Sequence, residues 1–193
     1  MGGGYYDVGH DGKEYSINLN LAQMLQVIIA RDKHDKQDSI VAKVWLDFKN
    51  LSDSDEKEAL KELKTLCDSL GFPYSHIIVE SGSFKNLASF RKAGFKTSYY
   101  VPYYDKQSLD SKEIKTHLQN IIKSQSVDYV SFAYYLYELI KSLELKVCKD
   151  GICWDMPLLT WNEGANYKIN MLEKAYLDPQ VRVILAGEKG AYR

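Results

Sequence analysis

The sequence is poor in the features that mark membrane proteins, disulfide scaffolds and nucleic-acid-binding proteins. No apolar run approaches the ~18 residues that cross a bilayer, and Met1 to Tyr5 form neither a basic region nor an apolar signal stretch. Lysine and arginine number 25 against 26 aspartates and glutamates, so no global field attracts nucleic acid. Three cysteines are too few for a disulfide scaffold. These absences predict a soluble chain with neither a membrane span nor a nucleic-acid partner.

Strand-like and helix-like segments alternate along the 193 residues, which are 45% hydrophobic and enough for one packed core. We predict a single domain over residues 1–193. The periodicity predicts seven strands, at Tyr5–Gly9, Val41–Phe48, His76–Glu80, Lys96–Val101, Val127–Phe132, Pro157–Trp161 and Val181–Ala186. It predicts six helices, at Leu19–Ala30, Asp55–Leu70, a short segment before Gly94, Ser108–Ser124, Tyr135–Leu143 and Tyr167–Tyr176.

This alternation predicts parallel pairing with right-handed crossovers, in either a barrel or an open doubly wound sheet. A barrel is favoured, because no glycine-rich phosphate loop follows the first strand and the units repeat without a change of direction. Eight units usually need about 200 residues or more. The predicted fold is therefore α/β, an incomplete (β/α)8 TIM-type barrel of about seven parallel strands that lacks its first βα unit. Tyr5–Gly9 should pair with Val41–Phe48 and leave an exposed edge through which copies could self-associate.

Two of the cysteines flank a hairpin turn. Asp150-Gly151 lies between short apolar runs, and such a turn places Cys148 opposite Cys153 in a non-hydrogen-bonded pair. The expected Cα separation of about 4.5 Å allows a disulfide. A pair of reduced thiols is the alternative. The compartment follows from this choice: exported or periplasmic if the bridge forms, and cytoplasmic otherwise.

Polar and aromatic residues gather where the predicted strands end, which is the active face of parallel α/β folds. They are His10, Asp11, Asp47, Lys49, Glu80, Tyr100, Tyr103, Ser131, Tyr134, Trp161, Asn162, Glu163 and Glu188. Asp47 and Lys49 alternate within an apolar strand, so both can point to the barrel axis as an ion pair or a functional pair. His10 can act as a general acid or base because histidine titrates near neutral pH.

Three short motifs, Tyr6–Asp11, Trp45–Lys49 and Leu159–Asn162, resemble those of glycerophosphodiester phosphodiesterases and other phospholipase C-like phosphodiesterases. The resemblance implies a phosphodiester hydrolase acting on a glycerophosphodiester or a related phospholipid or sugar phosphodiester. It implies His10 as general acid, Asp47 as a ligand of Mg²⁺ or Ca²⁺, and Lys49 as a catalytic phosphate contact. Residues expected to bind the small-molecule substrate are Glu80, Tyr100, Trp161 and Asn162.

Parts of the family pattern are missing. Another histidine and a Glu-x-Asp metal pair would precede Tyr5, and Asp47 replaces the more usual glutamate. The chain is therefore expected to be a truncated piece or an inactive relative. An alternative is a carbohydrate-binding or protein-interaction module without catalysis, suggested by the tyrosines at 99, 100, 103, 104, 134, 135 and 137.

Overall fold

A computed structural model of the chain describes residues 20–34, 42–104, 110–162 and 172–185. In this part of the chain the elements follow in the order α1 (Leu21–His34), β1 (Val44–Asp47), α2 (Glu56–Leu70), β2 (Ile77–Ser81), α3 (Phe84–Ala93), β3 (Lys96–Tyr100), α4 (Ser111–Lys123), β4 (Tyr129–Ala133), α5 (Tyr137–Ser142), β5 (Lys146–Lys149), β6 (Ile152–Asp155), β7 (Leu158–Trp161), α6 (Glu173–Leu177) and β8 (Val181–Leu185). The predicted strand Tyr5–Gly9, its pairing and its exposed edge lie outside the described residues.

Six of these strands form one parallel sheet in the order β1-β2-β3-β4-β7-β8. Each strand lies beside the next one along the chain, apart from the interposed hairpin β5–β6. The described strands thus have no switch point at which the order reverses, as it does in doubly wound sheets. This progression is the one expected of a (β/α) barrel.

The sheet is strongly curled. Trp45 on β1 and Trp161 on β7 have ring centroids only 6.2 Å apart, although β2, β3 and β4 lie between their strands. Strand spacings of ~4.8 Å would separate these positions by roughly 19 Å in a flat sheet. The sheet must therefore close on itself like part of a barrel. The predicted fold class, an incomplete TIM-type barrel, is confirmed.

The outer face of the curled sheet carries the main hydrophobic core. Alternate strand residues such as Val79, Val130 and Phe132 point outwards and join one buried cluster with the helices, which contribute residues such as Phe90 and Leu118. Burying each such side chain contributes about 1.5–3 kcal/mol. The helices therefore pack against the outer face of the sheet, and the intervening strand residues point to its inner face.

Most predicted boundaries agree with the structure, and the main exception is α1. That helix continues to His34, whereas the sequence predicts an end at Ala30 and a solvated loop from Arg31 to Lys36. Asp32 explains part of the difference, because its carboxylate is buried and accepts a hydrogen bond from the backbone N–H of Ala42 at 3.1 Å. This contact ties the last turn of α1 to the chain entering β1.

The hairpin β5–β6 has the predicted register. Asp150 and Gly151 have φ values of 51° and 80°, as a type I′ turn requires. Cys148 pairs with Cys153 at a Cα separation of 4.1 Å, and a disulfide joins them. Among the described residues, no helix is long and apolar enough to cross a membrane.

Candidate active site on the inner face of the sheet

A row of polar side chains crosses the inner face of the sheet near the carboxyl ends of the strands. The parallel register places Asp47 beside Glu80, Glu80 beside Ser98, and Tyr100 beside Ser131. Paired neighbours on adjacent strands share a face, so these side chains all point to the barrel interior. The sheet thus gathers acidic, hydroxyl and aromatic groups from four strands into one region.

Glu80 is the most deeply buried acid of this row, at 3% exposure. Burial raises the pKa of its carboxyl group to about 8, and the negative charge of Asp47 adds to the effect. The nearby polar groups of Ser131, Trp45 and Ser98 favour the ionised form and offset only part of the rise in pKa. Glu80 is therefore mostly protonated at pH 7, and a neutral carboxyl group can donate a hydrogen bond as well as accept one.

Three buried polar atoms on the inner face have no hydrogen-bond partner within the described ranges. They are Trp45 Nε1, Glu80 Oε2 and Ser98 Oγ, on the adjacent strands β1, β2 and β3. Trp45 and Ser98 lie close enough to Glu80 to lower the pKa of its carboxyl group, but the three atoms do not meet the geometry of a hydrogen bond. The hydroxyl of Ser131 donates instead to the carbonyl of Tyr99 at 3.0 Å. An unpaired buried group costs about 1–3 kcal/mol, so a polar ligand that completed these bonds would be stabilised.

Asp47 and Lys49 lie at the mouth of the same region. Lys49 Nζ is 3.9 Å from Asp47 Oδ2, and the two side chains are 55% and 35% exposed. Lys49 is the second residue after the end of β1 and lies in a turn. Such an open ion pair is worth only about 0–1 kcal/mol.

Aromatic rings form the opposite wall. Tyr100 at the end of β3 stacks on Trp161 at the end of β7, with centroids 5.2 Å apart and planes 17° apart. Trp161 also meets Trp45 edge-on. Asn162 follows directly and is half-buried, and its backbone N–H donates to the carbonyl of Leu185 at 3.3 Å. The interior therefore has acidic groups on β1 and β2 and an aromatic cluster on β3 and β7 that Trp45 of β1 also contacts.

The structure brings together most of the residues that the sequence selects. Asp47, Glu80, Tyr100 and Trp161 share the inner face, while Lys49 and Asn162 lie just beyond the ends of β1 and β7. His10 lies outside the described residues.

Sequence reasoning missed Trp45 and Ser98 as members of this site. The two-residue period could have found both, because Trp45 precedes Asp47 by two positions and Ser98 precedes Tyr100 by two. Their burial is visible only in the curled sheet.

The described side chains meet the requirements of a divalent cation only in part. Asp47 and Glu80 offer two neighbouring carboxyl groups, and carboxylate oxygens are the ligands that Mg²⁺ and Ca²⁺ prefer. No cluster of three or more histidine, cysteine, aspartate or glutamate residues with metal-binding geometry occurs in the described part of the chain. These two acids fit as part of a hard-cation site, without forming a complete ligand set.

A surface cavity of about 480 Å³ lies elsewhere, between α5 and α6. Its charged groups are paired with one another: Lys141 Nζ is 2.8 Å from Asp178 Oδ2, and Lys174 pairs with Glu138. Tyr137 also donates to Asp178 at 2.9 Å. Because the charged groups that line this cavity pair with one another, the inner face of the sheet is the better candidate site.

Comparisons with known proteins show likeness in fold alone. No protein-family model matches the chain, and no curated protein matches it. Solved structures do match: a candidate glycerophosphoryl diester phosphodiesterase from Silicibacter pomeroyi DSS-3 (12% identity, TM-score 0.54), a candidate glycerophosphodiester phosphodiesterase from Galdieria sulphuraria (12%, 0.51) and a glycerophosphodiester phosphodiesterase from Parabacteroides distasonis ATCC 8503 (13%, 0.52). The matches cover 91%, 92% and 94% of this chain but only 54%, 63% and 64% of those chains. The chain thus spans between about half and two thirds of the length of these structures.

Proposed function

We propose that the chain is a phosphodiesterase-like domain that binds a glycerophosphodiester, or a related phospholipid or sugar phosphodiester, on the inner face of its sheet. The observation that carries the proposal is the pairing of Asp47 with Glu80 at the carboxyl ends of β1 and β2, beside buried polar atoms that lack partners. The likeness in fold to solved glycerophosphodiester phosphodiesterases supports the same reading.

Each residue has a defined role in this proposal. Asp47 would hold Mg²⁺ or Ca²⁺, and the neighbouring Glu80 would serve as a second oxygen ligand once its carboxyl group had lost its proton. The ion would neutralise charge on the phosphoryl oxygens. Lys49 would contact the phosphate, His10 would protonate the leaving alcohol, and Tyr100, Trp161 and Asn162 would line the space for the substituent. The ion pair between Asp47 and Lys49 itself contributes only about 0–1 kcal/mol, which the ligand contacts of the two residues would have to offset.

A second candidate is a carbohydrate-binding module without catalysis. The stacked rings at the ends of β3 and β7 favour it, because flat aromatic surfaces bind sugars through apolar contact. Metal-dependent turnover distinguishes the two candidates. The closed Cys148–Cys153 bridge supports an exported or periplasmic origin for either of them.

The decisive experiment measures hydrolysis of glycerophosphocholine with Mg²⁺, with Ca²⁺ and with chelator. We expect metal-dependent release of choline, abolished by Asp47→Asn and lowered at least ~100-fold by His10→Ala. Asp155→Asn is the matched control, because Asp155 is an exposed, ion-paired aspartate on the hairpin.

An inert chain would still be informative. Titration calorimetry should then show weak Mg²⁺ or Ca²⁺ binding that Asp47→Asn removes and Asp155→Asn preserves. Absence of both turnover and metal binding would refute the phosphodiesterase proposal and leave the carbohydrate-binding module as the better candidate.

A further inference from the structure

Two exposed tyrosines that stack on each other lie at the mouth of the curled sheet, next to the candidate site. The rings of Tyr103 and Tyr135 are parallel to within 5°, with centroids 6.3 Å apart. Both are well exposed, at 50% and 39%. Tyr103 meets Tyr100 edge-on at 6.1 Å, and Tyr100 stacks on Trp161. The exposed pair, which we call the tyrosine platform, is therefore continuous with the aromatic wall of the site.

The platform is held in place by the backbone. The hydroxyl of Tyr135 accepts a hydrogen bond from the N–H of Tyr104 at 3.1 Å and lies 3.2 Å from the carbonyl of the same residue, to which it donates. Rotating the ring away would break both bonds, and an ordinary hydrogen bond contributes about 0.5–1.5 kcal/mol. The hydroxyl is thus used internally, while the residue as a whole remains 39% exposed. Such preorganisation lowers the entropic cost of binding a ligand.

We propose that the tyrosine platform binds a sugar ring carried by the phosphodiester, an inference that rests on the function proposed above. A pyranose has a flat face of C–H groups that stacks on aromatic rings, and hydroxyl groups around its edge. The inner face offers partners for such hydroxyls, since Glu80 Oε2 and Ser98 Oγ are buried and unpaired among the described residues. A phosphodiester of a sugar would therefore place its phosphate near Asp47 and its ring over the tyrosines.

Binding of a sugar to the tyrosine platform can be tested without measuring hydrolysis. Saturation-transfer NMR with methyl β-D-glucopyranoside should show contact between the ring protons and the protein. Tyr103→Ala should weaken binding by roughly three- to tenfold, the range expected for one lost aromatic stacking partner. Tyr103→Phe should bind as the parent does, because it keeps the ring. The control is Tyr176→Ala, since Tyr176 is 79% exposed on α6 outside the site.

Hydrolysis of two diesters, one with a sugar ring and one without, distinguishes a failure of the platform from a failure of the proposed phosphodiesterase function. The substrates are a glycerophosphodiester of methyl glucoside and glycerophosphoethanolamine, which lacks a ring. Tyr103→Ala should raise KM about three- to tenfold for the sugar diester alone and leave kcat unchanged. If neither diester is hydrolysed and the parent binds neither Mg²⁺ nor Ca²⁺, while glucoside binding follows the expected pattern, the phosphodiesterase proposal is refuted and the platform is upheld.

Three results would overturn the platform. They are no saturation transfer with the parent protein, an equal loss of binding in Tyr103→Ala and Tyr176→Ala, and an equal rise in KM for both diesters. Binding of the parent to phosphatidylcholine vesicles that Tyr103→Ala removes, without any glucoside binding, would identify the surface as a membrane contact and also refute the proposal.

Discussion

Replacing Glu80 by glutamine should change how the stability of the protein depends on pH. The carboxyl group has a pKa of about 8 in the folded protein, against 4.5 for an ordinary glutamate, chiefly because it is buried. The stability that the neutral form provides is complete below pH 4.5 and is lost as the pH rises through 8. One pKa unit corresponds to 1.36 kcal/mol, so the total loss is on the order of 3–5 kcal/mol. Glutamine has a similar shape and carries no charge at any pH, so the variant should not show this loss.

Urea unfolding at pH 5, 6, 7, 8 and 9 in the presence of EDTA, followed by tryptophan fluorescence, measures the effect. The free energy of unfolding of the parent should fall relative to that of Glu80→Gln as the pH rises, because other titrating groups contribute equally to both proteins. Asp47→Asn is the matched control: the Asp47 charge raises the pKa of Glu80, so the loss of stability should become smaller. Parallel curves for parent and Glu80→Gln would refute the assignment of a buried, neutral carboxyl group.

Three further predictions concern stability and are tested by the same unfolding assay at pH 7. Asp110→Ala should cost about 1 kcal/mol and Asp110→Asn little, because the Asp110 side chain caps α4 by accepting hydrogen bonds from two backbone N–H groups; equal losses would contradict the cap. Phe90→Ala should cost about 3–5 kcal/mol, since the ring is fully buried, while Tyr176→Ala should stay within about 0.5 kcal/mol; a loss below 1 kcal/mol for Phe90→Ala would contradict the packing. Replacing Cys148 and Cys153 by serine should cost about 2 kcal/mol, the chain-entropy value for so short a loop, and no change would show that the bridge does not constrain the unfolded chain.

The fold could be predicted from the sequence because its information is local. Most strands of the sheet are short and rich in apolar or aromatic residues, and the longer helices have a periodic pattern; Gly71 ends α2 and Gly94 ends α3. Asp150-Gly151 predicted the hairpin and the pairing of Cys148 with Cys153 in the same way, but left open whether the two thiols form a disulfide. The end of α1 escaped prediction, because it depends on a contact between Asp32 and Ala42 that local pattern does not encode.

The candidate site could be predicted only in part. Strand ends identified Asp47, Glu80, Tyr100 and Trp161, since parallel strands present their carboxyl ends at one edge. The roles of Trp45 and Ser98 depend on the register between strands and on the curvature of the sheet. Neither can be predicted from the sequence of one strand alone. The raised pKa of Glu80 has the same origin, because burial by distant strands causes it.

The contact between Trp45 and Trp161 also has a consequence for the order of folding. The two rings lie more than a hundred residues apart in the sequence and meet only when the sheet has curled. Contacts of such long range are entropically costly to close and therefore slow a folding reaction. The neighbouring pairs β1–β2 and β2–β3 need much shorter loops. We therefore expect the sheet to curl late in folding, and until it does the rings of Trp45 on β1 and Trp161 on β7 remain apart.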